Sequence, residues 1–170
     1  AITVTGFLTW FLVTAKILPF TAATCIGVSV VCAVGCGGLY HFQGKNGIDC
    51  FPSGKVNLIY GEEILFFIFF LMWTYFAGFR PQAYGTEKFM DYGFMEAMMR
   101  STTLPARDLW YSEGTINYYY GGQYFAVFLT KLTGSKVELT YNLMRTFVAA
   151  FAFVLPFSLV RSEERRVGKE

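Results

Sequence analysis

The stretch from Leu58 to Phe79, LIYGEEILFFIFFLMWTYFAGF, decides the fold of this chain. Its centre, ILFFIFFLMW, is an unbroken apolar run. A helix needs about 20 largely apolar residues, each adding about 1.5 Å, to cross the hydrocarbon core of a bilayer. Backbone polar groups find no water in that core, so a crossing segment satisfies them within a helix. The stretch therefore predicts a membrane-spanning helix.

The composition of the whole chain supports this interpretation. Hydrophobic residues make up 54% of the 170 residues, charged residues make up 15%, and the mean hydropathy is +0.41. These values are typical of a membrane protein. The net charge of +2 is too small to indicate a nucleic-acid partner.

The sequence predicts an all-α, polytopic transmembrane helix bundle. Besides the span at 58–79, four further apolar runs are predicted to cross the membrane, at residues 3–20, 21–40, 118–132 and 141–160. Residues 1–160 are expected to be a fragment of one transmembrane domain. The last ten residues, RSEERRVGKE at 161–170, change abruptly to high charge, and we expect this tail to be non-native or disordered.

A polar segment at residues 80–117 separates the third predicted span from the fourth. Within it, residues 87–100 are predicted to form an amphipathic helix that lies at the membrane interface. Asp91 falls on the apolar side of this helix, one turn after Glu87. A carboxylate there is costly unless a partner or a substrate uses it. Either Asp91 acts as a general base, or it caps the helix or pairs with Lys88 or Arg107.

Three consecutive tyrosines, Tyr118, Tyr119 and Tyr120, follow the polar segment. Tyrosines favour the membrane–water interface, because the ring is apolar and the hydroxyl group binds water. An aromatic belt would explain them, but it would not explain why Asn117 and Gln123 accompany them. A polar binding site that these side chains line is the second interpretation, and it is the one that we favour.

The order of motifs resembles an uncharacterised family of bacterial and archaeal multi-spanning membrane proteins that is named for its YYY motif. The matching strings are EEILFFIFFLMW, FRP, GTEKFMD, RSTTLP-x-x-D-x-W, GTINYYYGGQY, LTKLTG and YNL. They cover residues 58–160. Phe89 and Leu109 stand where that family has prolines, and Gly121 follows the tyrosines where a bulky residue is usual, so the local loop geometry differs.

That family is in turn similar to the GT-C class of integral-membrane glycosyltransferases. The resemblance implies that Asp91 or Glu87 deprotonates an acceptor, or helps to hold a divalent metal ion if one is used. It also implies a sugar donor on a polyprenyl phosphate, so the partners are membrane lipid and a lipid-linked sugar. Arg100 is one cation available for the phosphate. The predicted substrate-binding residues are Lys88, Arg80, Arg107, Asp108, Trp110, Asn117, Tyr118, Tyr119, Tyr120 and Gln123.

Two classes of function follow from these observations. One is a membrane glycosyltransferase; the other is a non-enzymatic transporter or an assembly scaffold. Transporters usually carry ionisable groups in mid-membrane, whereas, apart from Lys16, the charges of this chain lie near the ends of the predicted spans. We therefore favour the enzyme. We expect it in the plasma membrane of a bacterium or archaeon, with residues 80–117 outside by analogy with GT-C enzymes.

Overall fold

The computed structural model describes residues 2–45, 56–82, 84–85 and 87–167, and the side chains of residues 44–45, 56 and 162–167 fall outside the description. The regular structure in these ranges is helical, apart from one antiparallel bridge between Arg107 and Thr115. The all-α prediction is therefore confirmed. The helices are α1 (Ile2–Thr14), α2 (Ala22–Lys45), α3 (Val56–Gly78), α4 (Lys88–Arg100), α5 (Gly121–Thr133) and α6 (Val137–Val167).

Three of these helices are long and apolar enough to cross a membrane. The candidate spans are Ala22–Gln43 in α2, Asn57–Gly78 in α3 and Val137–Arg161 in α6. The structure differs here from the five predicted spans. Helices α1 and α5 have 13 residues each and are about 20 Å long, whereas the hydrocarbon core is about 30 Å thick.

The far end of α6 extends into the charged tail at 161–170, which was expected to be non-native or disordered. The helix continues to Val167, which bears on disorder only and leaves the expectation of a non-native tail as a prediction. Residues 168–170 lie outside the described residues.

The chain divides into two compact units, which are described separately here. The first comprises Ala1–Ile48 and Ala83–Tyr141, and the second comprises Asp49–Gln82 and Asn142–Glu170. The first unit therefore contains α1, α2, α4, α5 and the first turn of α6. The second contains α3 and the remainder of α6.

In the second unit, α3 and α6 pack side by side in opposite directions. Thr74, late in α3, donates a hydrogen bond of 3.2 Å to Thr146, early in α6. Ser158, late in α6, donates one of 3.0 Å to the carboxylate of Glu62, early in α3. Stacked aromatic rings fill the space between them, with Phe69 and Phe153 at 4.6 Å between centroids. Large apolar side chains cover the outside of both helices, as on a surface that contacts lipid or protein.

In the first unit, α5 is the central helix, because it packs against both α2 and α4. Its apolar side is buried, and Val127 and Phe128 have no exposed surface. The apolar side of α4 meets it with Met95 and Met98, which are 2% and 0% exposed. These two methionines were predicted to share the apolar side of this helix, and the structure confirms their burial.

Helix α1 approaches α5 closely at Gly6. A Cβ atom at Gly6 would lie 3.0 Å from the ring of Phe125, so the absence of a side chain allows the close contact. The Gly6 carbonyl also accepts a hydrogen bond of 2.8 Å from the hydroxyl group of buried Tyr124. Helix α1 is thus held to α5 by a packing contact and a buried polar contact at one residue.

Candidate functional site

The structure joins Asp91 on α4 to Gln123 on α5. The side-chain amide of Gln123 donates a hydrogen bond of 2.7 Å to Oδ1 of Asp91. Both side chains are half-buried. In the described part of the chain, no hydrogen bond to Oδ2 of Asp91 is recorded, so this oxygen is available to a proton or a ligand. The alternative pairing of Asp91 with Lys88 or Arg107 is not observed.

The local structure explains how these two groups meet. Asp91 lies in the first turn of α4, at the edge of the side that buries Met95 one turn later. Gln123 lies in the first turn of α5, which begins at Gly121. Because α4 packs along α5, side chains in their first turns come within hydrogen-bonding distance.

Tyr118 and Tyr119 lie beside this pair. The Tyr118 hydroxyl group donates a hydrogen bond of 2.6 Å to the Tyr119 hydroxyl group, and their ring centroids are 3.8 Å apart. This hydrogen bond is the main reason that the pKa of Tyr118 is raised to about 12, and the negative charges of Glu87 and Asp91 act in the same direction. Tyr118 is therefore a neutral hydrogen-bonding group near two carboxylates at physiological pH.

An aromatic cluster, which we define as Phe94, Trp110, Tyr118 and Tyr119, continues from this point. Phe94 is buried, and its ring lies 5.7 Å from that of Trp110 and 6.1 Å from that of Tyr118. Trp110 and Tyr119 remain 61% and 67% exposed. The cluster therefore has a buried base and an exposed surface of amphipathic rings beside the Asp91 carboxylate.

The position of Trp110 depends on Asp108. The Asp108 Oδ1 atom accepts hydrogen bonds from the backbone N–H groups of Trp110, at 2.8 Å, and Tyr111, at 3.1 Å. This is the turn that an aspartate side chain forms with the backbone that follows it. One oxygen of Asp108 is thus used to shape the loop that presents Trp110.

Other predicted site residues lie elsewhere. Tyr120 precedes α5 and accepts a hydrogen bond of 3.3 Å from the indole N–H of Trp10 on α1. Tyr124, one turn further along, is buried against Gly6. Asn117 is exposed. Because α5 begins at Gly121, both Asn117 and Tyr120 precede this helix.

The cations that were proposed for the donor phosphate lie on different elements of the chain. Lys88 is half-buried in the first turn of α4, one turn from Asp91. Arg100 and Arg107 line an open pocket at the other end of α4. Arg80 is exposed after α3 and belongs to the second unit.

One polar residue of the first unit was missed from the sequence. Lys131 on α5 donates a hydrogen bond of 3.0 Å to the carbonyl of Met99, and its ammonium group lies 4.7 Å from the centroid of the Phe20 ring. Burial lowers the pKa of Lys131. A lysine within an apolar helix was the available signal, but its partners lie far away in the sequence.

Glu87 and Asp91 are the carboxylates that were proposed to hold a divalent metal ion if one is used. Among the described residues, no group of three or more His, Cys, Asp or Glu side chains comes together. Glu87 and Asp91 are two carboxylates one helical turn apart, and Asp91 is already bound to an amide N–H. Mg²⁺ is usually bound by one or two carboxylates together with water and substrate phosphate oxygens, so a metal ion held by this pair stays a prediction.

The fold and this site define an integral membrane protein with three candidate spans and a partly polar helical unit. The chain belongs to the DUF2298 family, whose description is uncharacterised membrane protein and whose model matches residues 4–169. Comparisons with curated proteins and with solved structures gave no match.

Proposed function

We propose that the chain is part of an integral-membrane glycosyltransferase that takes a sugar from a polyprenyl-phosphate donor at the membrane interface. In this reaction an acceptor hydroxyl oxygen bonds to the anomeric carbon of the sugar. The bond between that carbon and the phosphate oxygen breaks, and the polyprenyl phosphate leaves with the bonding electron pair. The acceptor hydroxyl proton passes to Asp91. The proposal rests on the resemblance to GT-C enzymes and on the geometry around this carboxylate.

The single observation that carries the proposal is the arrangement of Asp91. A general base needs an oriented carboxylate with one oxygen free for the proton. The Gln123 amide occupies Oδ1 and leaves Oδ2 without a recorded partner among the described residues.

The surroundings of Asp91 suit an amphiphilic substrate. The exposed rings of Trp110 and Tyr119 offer apolar faces beside polar groups, and such side chains favour the membrane–water interface. Lys88, one turn from Asp91, supplies a positive charge for the donor phosphate. Asn117, Tyr118 and Asp108 complete the proposed substrate-binding set, in which Asp108 acts by fixing the loop of Trp110, whereas Gln123 acts by holding Asp91.

Glu87 has a different position from Asp91. It immediately precedes α4 and is exposed, and its charge acts on the Tyr118 hydroxyl group. We assign to Glu87 a contact with substrate rather than proton transfer. We further propose the plasma membrane of a bacterium or archaeon as the location, with this site on the outer side.

The proposal is tested with the full-length protein in lipid nanodiscs, supplied with a polyprenyl-phosphate sugar and a membrane extract as the source of acceptors. Release of free polyprenyl phosphate is measured by mass spectrometry, because this product forms whichever acceptor takes the sugar. Release that depends on the protein is the expected result. Saturable solute uptake by proteoliposomes, without any release, would overturn the proposal in favour of a transporter.

A further inference from the structure

The far end of α4 carries a pocket whose two arginine side chains have no role in the proposed transfer reaction. It has a volume of about 370 Å³ and opens to the surface, and pockets for small molecules occupy about 300–1,000 Å³. Its polar lining residues are Arg100, Ser101, Thr102, Thr103, Arg107 and Asp108.

Both guanidinium groups of this pocket are available to a ligand. Arg100 makes a long ion pair of 3.9 Å with Glu96 and remains 67% exposed. Arg107 is exposed, and the part of the chain that is described records no side-chain partner for it. A guanidinium group presents a planar fork of N–H donors that matches the oxygen atoms of a phosphoryl group.

One carboxylate oxygen of Asp108 accepts hydrogen bonds from within the protein. This oxygen, Oδ1, accepts the two backbone hydrogen bonds that form the Trp110 loop. The pocket lining therefore holds two guanidinium groups and one carboxylate, and Glu96, outside the lining, pairs with Arg100. The lining itself favours an anion, which competes with Glu96 for Arg100.

A helix C-terminus opposes anion binding, because its free carbonyl groups carry partial negative charge. Here three of the last four carbonyl groups have partners. The Ser101 N–H group caps the carbonyls of Ala97 and Met98, and the Lys131 ammonium group binds the carbonyl of Met99. The Lys131 ammonium group of α5 thus offsets part of the negative partial charge at the last turn of α4.

We infer that this pocket binds a phosphoryl group, with Arg100 and Arg107 as the two ligating side chains and the threonine hydroxyl groups of Thr102 and Thr103 as further donors. The site is separate from the Asp91 carboxylate. Asp91 and Arg100 are nine positions apart in α4, which corresponds to about 13 Å along the helix axis. The phosphoryl group belongs either to an anionic lipid headgroup or to a free phosphate compound.

The test uses the full-length protein in nanodiscs of phosphatidylcholine, titrated with inorganic phosphate and followed by phosphorus NMR. A second arm uses nanodiscs that also contain phosphatidylglycerol and measures the lipid retained on the released protein by native mass spectrometry. The variants are Arg100→Gln and Arg107→Gln. Lys136→Gln is the matched control, because Lys136 is also an exposed cation but does not line the pocket.

One of the two probes is expected to bind. Each arginine variant should weaken the binding of that probe by about tenfold, whereas Lys136→Gln should leave its binding unchanged. Loss in the phosphate arm identifies a soluble phosphoryl ligand, and loss in the phosphatidylglycerol arm identifies a headgroup. Arg107→Lys keeps the positive charge but not the forked N–H donors of the guanidinium group, so this variant is expected to keep only part of the affinity for the phosphoryl probe. The inference is overturned if neither probe binds, or if the arginine variants behave like Lys136→Gln.

Failure of this inference is distinguishable from failure of the proposed transferase. Asp91→Asn is expected to leave both binding arms unchanged, because Asp91 lies outside the pocket. Phosphoryl binding without sugar transfer would support the pocket and reject the transferase.

Discussion

The Gln123 amide holds the Asp91 carboxylate through a hydrogen bond of 2.7 Å, which connects the first turn of α5 to the first turn of α4. It leaves the second carboxylate oxygen of Asp91 without a recorded partner among the described residues. Gln123 is therefore a positioning residue for Asp91 in the proposed reaction.

Replacement of Gln123 by methionine, which is similar in size, should lower kcat about ten- to a hundredfold, because a misplaced catalytic group loses much of its effect. KM should change little, since this hydrogen bond does not involve substrate. Steady-state kinetics of polyprenyl phosphate release measure both constants. A raised KM with an unchanged kcat would mean that Gln123 binds substrate in the ground state and would contradict the positioning role.

The contact of α1 with α5 should be sensitive to side-chain size at Gly6. Gly6→Val forces a branched side chain against Phe125, and overpacking of this kind costs about 1–3 kcal/mol. Gly27→Val, at a position where an added Cβ atom meets nothing within 4 Å, is the matched control. Thermal unfolding in detergent measures the difference; equal midpoints for the two variants would show that α1 does not rely on this close approach.

Lys131 should contribute to stability rather than to sugar transfer. Lys131→Met removes the hydrogen bond to the half-buried Met99 carbonyl and the contact with the Phe20 ring, and loss of a hydrogen bond of this kind costs about 1 kcal/mol. The denaturant midpoint of the purified protein should fall accordingly. Lys131→Arg keeps a cation at this position, so its denaturant midpoint should fall less than that of Lys131→Met. An equal fall in both variants would show that the lysine side chain supports the fold by its packing and not by its charge.

Stability should fall at alkaline pH in part because of Tyr92 on α4. Burial, together with the hydrogen bond of 3.0 Å that its hydroxyl group donates to Glu96, raises the pKa of Tyr92 from 10.0 to about 12. The folded state therefore holds this proton more tightly than the unfolded state does. The resulting stability is fully present below pH 10 and is lost as the pH rises towards 12.

Tyr92→Phe should flatten this loss between pH 10 and pH 12. Chemical denaturation at a series of pH values compares the variant with the parent protein. An identical slope in both proteins over this interval would show that Tyr92 does not titrate differently in the folded state.

The helical character of the chain and the register of α4 could be predicted from the sequence, because both depend on local pattern. The run at 58–79 is apolar throughout, and the 3.6-residue period places Met95 and Met98 on one side of α4. Apolarity alone could not distinguish a spanning helix from one that is buried within the protein. This is why α5, which packs Val127 and Phe128 into the first unit, was predicted to be a span.

The residues of the candidate site could be proposed from the sequence, but the contacts between them could not. Asp91 and Gln123 were both proposed, yet their contact depends on how α4 packs on α5, and no local spacing encodes it. The same holds for Tyr120, whose partner Trp10 is 110 residues away. The Arg100 and Arg107 pocket likewise depends on the path of the loop between them.

The most direct test of the account is the rate of polyprenyl phosphate release by the Asp91→Asn protein in nanodiscs, compared with Glu96→Gln. Both variants neutralise one carboxylate of α4 with little change in shape, and Glu96 is outside the proposed site. Loss of a general base lowers a rate by about 10²–10⁴-fold, so Asp91→Asn should lose at least two orders of magnitude while Glu96→Gln keeps the parent rate. Parental activity of a folded, membrane-inserted Asp91→Asn protein would contradict the central claim.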